Sequence, residues 1–239
     1  LGAGGALTPT KPSASSSASY TADPAARPQQ TLYGAGAGDD WKAQPRYDWA
    51  PLAADKGVGF TTAALGKDMI LAGSSSLDLY LKSSAKDTDL QVTISEVRPD
   101  GQETYIQNGW LRASHRKLDA KRSTAVDPFP THLKKDAALL PRGAFTLVRV
   151  PIFPVAHAFR AGSKIRVTVQ AAGGDRPIWK FKTVDAGSTL NTIALGGAKA
   201  SKLVLSAVAG STAKGTPLPA PTALRGEPTR RYLAASNGG

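Results

Sequence analysis

The serines, histidines and aspartates raise nucleophilic acyl transfer as the first chemistry to weigh. That reaction needs a nucleophile, a base and an orienting acid. The strained elbow G-x-S-x-G, which would expose such a serine, does not occur in the sequence. Gly73-Ser74-Ser75-Ser76 lacks the second glycine, and Gly210-Ser211-Thr212 sits in a polar tail. His115, His132 and His157 are scattered, and none has the spacing of a base or a metal ligand. HExxH, EF-hand and Walker patterns are all missing. The residue types for catalysis are there without a constellation, so no catalytic residue is assigned. With no cysteine in the chain, disulfides, thiolate metal sites and cysteine nucleophiles are excluded.

Two weaker chemistries remain. Asp87, Asp89 and Asp100 flank one apolar hairpin and could offer oxygens to calcium, which takes six to eight. Turn formation, with each Asp bonding its own backbone, is the plainer reading and is preferred. Trp41 and Trp49 lie in an irregular lead-in, where an indole can stack on a sugar ring or staple a loop. Trp110 and Trp179 fall in strand patterns and read as packing residues.

These side chains must be positioned by a chain of 239 residues with a net charge of +12. The length suits one large domain or two small ones. The basic surplus is spread from Lys11 to Arg231, and its densest run, Arg112–Arg122, carries no interleaved aromatics. It therefore speaks for solubility and non-specific association, with no specific nucleic-acid partner. No apolar run is long enough to span a membrane. Leu77, Leu79 and Leu81 alternate with polar neighbours, as do Leu90, Val92 and Ile94, and Ile165, Val167 and Val169. Period two predicts strands with one buried and one wet face. Further strands are expected at Met69–Ala72, Thr104–Leu111, Phe145–Ile152, Trp179–Thr183, Thr192–Leu195 and Leu203–Val208. Many short strands without crossover helices predict an all-β sandwich or jelly roll. Residues 1–58 are expected to be a lead-in, either a flexible linker or an extended arm, and 59–239 the sandwich. Ser114 to Gly143 reads as a long excursion between two strands, and such excursions are often functional.

The order of segments from Gly59 resembles a known family. The carriers are Phe60-Thr61 before Leu65, Gly73 opening a strand, and Asp87-x-Asp89-Leu90. With them go the turn Val97-x-Pro99-Asp100-Gly101 and Gly109-x-Leu111-Arg112-x-Ser114-x-Arg116. Phe153-Pro154-x-Ala156-His157 and Ala161-Gly162-Ser163 extend the match, although many members carry His where Ser163 stands. Together these resemble the C-terminal, non-catalytic domain of the X-prolyl dipeptidyl-peptidase and CocE/NonD serine hydrolases. The resemblance implies a jelly-roll sandwich, similar to galactose-binding domains, that packs on an α/β-hydrolase domain bearing a Ser-Asp-His triad. No triad residue can be placed on this chain, since those positions lie upstream of Leu1.

On this reading the chain is a non-catalytic wall of an active-site cleft, built from the 114–143 excursion and the lead-in. Trp41, Trp49, His115 and His132 are the candidate wall or ligand residues. Neither cofactor nor metal is called for. The partner is a hydrolase domain, in the same chain or a separate one, and a second copy of the chain is a further candidate. The Ser/Ala/Pro-rich lead-in and the lack of cysteine suit a secreted or periplasmic protein. The start at Leu1 reads as a processed or excised chain. The alternative is a stand-alone sugar- or ligand-binding module, with Trp41 or Trp49 beside Asp87 and Asp89. A third reading, an autonomous enzyme with an unusual triad, has no motif behind it.

Overall fold

A computed structural model describes residues 1–26, 49–173, 182–217, 219 and 228–235. Among these residues ten strands form two antiparallel sheets: β1 (Ser16–Ala22), β2 (Gly57–Thr61), β3 (Met69–Ser83), β4 (Asp89–Val97), β5 (Gln102–Arg112), β6 (Thr146–Phe159), β7 (Lys164–Ala171), β8 (Thr189–Leu195), β9 (Lys202–Val204) and β10 (Thr229–Arg231). One sheet runs β1-β8-β3-β6, with β9 also on β3, and the other runs β10-β5-β4-β7-β2. Their facing sides meet in one core of Leu77, Leu79 and Leu81 against Leu90, Val92, Ile94, Val167 and Val169. The all-β expectation holds. Among the described residues no helix is long and apolar enough to cross a membrane.

Several strands differ from the sequence pattern for identifiable reasons. Met69–Ala72 and Leu77–Leu81 are one strand, interrupted by a register shift between Gly73 and Ser75. Gly73 sits at φ 124°, a conformation that strongly favours glycine. Past this bulge the β9 side pairs irregularly, through Ala72 N–H to Ser206 O and Val208 N–H to Ile70 O. The expected strand at Leu203–Val208 is thereby cut to Lys202–Val204. Strand β6, which holds Pro151, runs seven residues past its expected end at Ile152, through Pro154, to Phe159. Proline is tolerated there because β6 is a sheet edge. Ser16–Ala22, within the Ser/Ala-rich lead-in, pairs residue for residue with β8 and buries Tyr20. The strand expected at Trp179–Thr183 lies largely outside the described residues.

The expected wet face of β4 is not wet. All nine residues of β4 are buried, Gln91, Thr93 and Ser95 included. Arg166 and Thr168 on the neighbouring β7 are buried as well. Polar side chains can be buried when they pair with one another. Thr93 donates to Asn108 at 2.8 Å, Ser95 to Glu103 at 2.7 Å, and Trp110 Nε1 to Gln91 at 2.9 Å. Glu103 also accepts from Arg166 at 2.8 Å and Arg230 at 2.9 Å. Arg230 in turn stacks on Trp49 at 3.7 Å, and Tyr232 faces the Arg166 guanidinium at 5.0 Å. The C-terminal segment and Trp49 thus help to cover this face.

At one end the sheets are joined by His157 of β6, 3.0 Å from Glu96 of β4. Burial acts to raise the Glu96 pKa. Hydrogen bonds from His157 and Ser163, and the charges of His157 and Arg98, outweigh it and hold the carboxyl below its ordinary value. A depressed carboxyl pKa adds stability at higher pH that is lost as pH falls through the folded-state pKa. Glu96→Gln should lower stability at neutral pH by about 1–3 kcal/mol. It should also flatten the fall in melting temperature as the pH drops below the ordinary carboxylate range. Thermal melts of both proteins across that range check this; parallel curves would contradict it.

Candidate functional site

Asp89 opens β4 and Arg112 closes β5, and the antiparallel register sets them opposite each other. Arg112 Nε donates to Asp89 Oδ1 at 2.8 Å and Nη2 to Oδ2 at 3.0 Å, a bidentate pair. This pairing, with Asp89, holds the Arg112 pKa above its ordinary value. Asp89 Oδ2 also accepts the Val184 N–H, and Arg112 Nη2 donates to Lys182 O at 2.7 Å. The pair therefore pins the chain that returns toward β8. Behind it lies Asp185, buried, accepting from Thr88 Oγ1 and Asp89 N–H, each at 2.9 Å. Burial pushes the Asp185 carboxyl up from its ordinary pKa. Thr88 accepts from Asn191 Nδ2 at 2.9 Å, and Asn191 reaches the buried Tyr20 hydroxyl at 3.2 Å. Burial raises the Tyr20 pKa. Strands β1, β8 and β4 are locked together by this polar chain.

The 114–143 excursion leaves β5 at this point. Its neck is closed by Ala138 N–H to Ser114 O at 2.9 Å and Leu140 N–H to Lys86 O at 2.8 Å. Arg116 clamps the neck, donating to the carbonyls of Ala113, Ala138 and Leu139. Inside, Leu118 bridges Pro130, and Arg122 lies 3.3 Å over the Phe129 ring. Arg149 and Ser76 hold the carbonyl of Ala125 against the first sheet. These bonds bring His132 back toward His115, with ring centroids 6.0 Å apart. His132 has φ 52°, left-handed backbone that is uncommon outside glycine.

The result is a cleft of about 320 Å³ lined by Asp89, Leu90, Trp110, Leu111, Arg112, His115, His132, Ala172 and Lys182. A larger one, about 490 Å³, lies on the other sheet beneath Leu7–Pro12. It gathers none of the residues singled out by sequence, and its carboxylate, Asp78, is committed to Arg149 at 2.9 Å. The smaller cleft is the chemically richer of the two.

Of the sequence candidates, His115, His132 and Asp89 meet in the cleft. Asp87 stands behind it, accepting the Thr88 and Ser114 N–H groups. Asp100 sits at the opposite end of β4, in the turn to β5, accepting Gln102 N–H. Ten residues, mostly strand, lie between it and Asp89, roughly 30 Å at about 3.3 Å per residue. The three aspartates therefore do not share an ion. Among the described residues no group of three His, Cys, Asp or Glu could hold a metal. Trp49 packs edge-on to Tyr105 at 5.8 Å, near the β4 end that carries Ser95. The sugar site of Trp49 with Asp87 and Asp89 is thus not assembled, because Trp49 staples the sheet face elsewhere. Trp41 lies outside the described residues. Sequence reasoning missed Trp110, Arg112 and Lys182 as cleft residues. The opposition of Asp89 and Arg112 was readable from the hairpin, since both belong to motifs already singled out.

The model of the X-Pro dipeptidyl-peptidase C-terminal non-catalytic domain matches residues 2–204. The chain belongs to this family. Its sandwich resembles the Staphylococcus aureus CocE/NonD family hydrolase, with a TM-score of 0.65 and 21% identity over 87% of this chain and 35% of that one. An aminopeptidase from a marine sediment archaeon, Thaumarchaeota archaeon, gives 0.62 and 18%, covering 87% and 36%. An α-amino acid ester hydrolase gives 0.61 and 17%, covering 87% and 35%. A Mycobacterium bovis protein provisionally named a serine esterase is 29% identical over 115 residues, 47% of this chain and 18% of that protein. The chain thus matches about a third or less of these longer relatives.

In this member of the family the Asp89–Arg112 pair carries the cleft. Arg112→Gln should cost about 1–3 kcal/mol, because it strips a nearly buried carboxylate of its bidentate partner. Asp89→Asn with Arg112→Gln should recover part of that loss. Urea unfolding of the single and double variants checks it; additive losses would show that the two side chains are not coupled.

Proposed function

We propose that this domain packs on an α/β-hydrolase catalytic domain and walls one side of its active-site cleft. It contributes shape and recognition, while the acyl-transfer chemistry belongs to the catalytic domain. The observation that carries this reading is the build of the 114–143 excursion. Thirty residues without regular strand are held in one conformation by a clamped neck, an internal bridge and two anchors to the first sheet. Ordering so long a segment costs entropy that a solvent-facing loop has no reason to bear. Its outer surface carries Leu133 and Leu139, half or more exposed. Exposed leucines on an ordered loop suit contact with a neighbouring domain.

Family membership and the sandwich's likeness to one third of several hydrolases support the same reading. The reading predicts what loss of the excursion does. In the hydrolase that carries this domain, residues 119–129 can be replaced by two glycines across the Leu118–Pro130 bridge. KM for a p-nitrophenyl ester should rise several-fold, with kcat changed by less than twofold. Steady-state kinetics with a thermal melt of the same protein checks this. An unchanged KM with an unchanged melting temperature would sink the proposal.

A further inference from the structure

We propose that the Trp110–His132 cleft is a binding site for a small organic anion, a carboxylate joined to an apolar body. Such a site is a role beyond domain docking, and donors left unused by the fold mark it. Asp89, the one acidic side chain lining the cleft, is fully served by Arg112 and the Val184 N–H. Its charge is spent on structure. Arg112 uses Nε and Nη2 for Asp89 and Lys182 O, which leaves Nη1 with no acceptor among the described residues. Neither imidazole, His115 nor His132, makes a hydrogen bond there, and each ring carries an N–H in every protonation state. Lys182, an exposed residue, lines the same cleft. Side chains able to donate, from three separate segments, residues 112–115, 132 and 182, thus line one cleft.

The rest of the lining is apolar. Ala172 lies in it beside the Trp110 indole, while the side chains of Leu90 and Leu111 belong to the core beneath. The indole is fixed by its bond to Gln91 and by Phe153, whose ring centroid lies 5.6 Å away. Apolar walls with a few convergent polar groups are the usual build of a small-molecule site, and about 320 Å³ lies at the small end of the range. The left-handed backbone of His132 adds a local cost, and such strain gathers at binding sites. A carboxylate fits the donors, because a guanidinium edge and imidazole N–H groups bond it with charge assistance. A ring or short alkyl chain fits against the Trp110 indole.

The test uses this chain, phenylacetate, and histidine imidazole NMR at neutral pH. Phenylacetate should shift the His115 and His132 signals saturably, with a dissociation constant near ~1 mM. Phenylacetamide, the neutral isostere, and acetate, which lacks the ring, should bind at least roughly fivefold more weakly. His132→Asn keeps a residue that tolerates left-handed backbone, and Lys182→Gln touches no structural bond through its side chain. Each should weaken phenylacetate at least roughly fivefold while leaving the melting temperature unchanged. No saturable shift, equal binding of phenylacetamide or of acetate, or unaltered affinity in both variants would overturn the proposal.

Discussion

The burial of β4 on both faces is the constraint on which the rest of the structure depends. One face of a sandwich strand is buried by design, and Leu90, Val92 and Ile94 serve that purpose. Here Gln91, Thr93 and Ser95 on the other face are also removed from water. Each buried polar group left unpaired costs about 1–3 kcal/mol, so the flanking strands must supply partners. Asn108 and Glu103 of β5 do so directly, and Arg166 of β7 and Arg230 of β10 then neutralise Glu103. Arg166 and Glu103 are both almost wholly buried. A buried ion pair adds little net stability, yet removing one partner strands the other charge. It fixes which strands lie beside β4 more than it strengthens them.

The cleft follows from the same strand. Its first residue, Asp89, pairs with the last residue of β5, and the backbone N–H of Asp89 is taken by Asp185. Those bonds set where the excursion leaves and where the chain returns toward β8. Arg116 then closes the neck, and His132 is carried back to His115. Moving β4 would move every wall of the cleft. Close packing reinforces this: a Cβ on Gly109 would lie 1.9 Å from Pro151 O, so the β6 edge sits hard against β5 beside Trp110.

Much of this fold was legible because alternation is local. Leu77–Leu81, Leu90–Ile94 and Ile165–Val169 carry their strand assignment in four or five residues. The covered polar face was not legible, since Gln91, Thr93 and Ser95 look the same whether they meet water or Asn108 and Glu103. Nor could composition tell a linker from β1, because Ser16–Ala22 is held by backbone pairing to β8, about 170 residues away. Prolines hid the length of β6, as only its edge position makes them tolerable. At the cleft, the sequence singled out His115 and His132 separately. Their meeting depends on a neck closed by backbone carbonyls, which no side-chain pattern reports. The aspartates had the right types but belong to the two ends of one strand.

The central claim is that this sandwich presents its 114–143 end to a catalytic domain. Amide hydrogen exchange compares that segment in this chain alone and in the longer hydrolase proposed to carry it. The account predicts slower exchange around Leu133 and Leu139 in the full protein, with the β4 and β7 amides unchanged. Equal exchange of the excursion in both, with protection gained on some other surface, would contradict it.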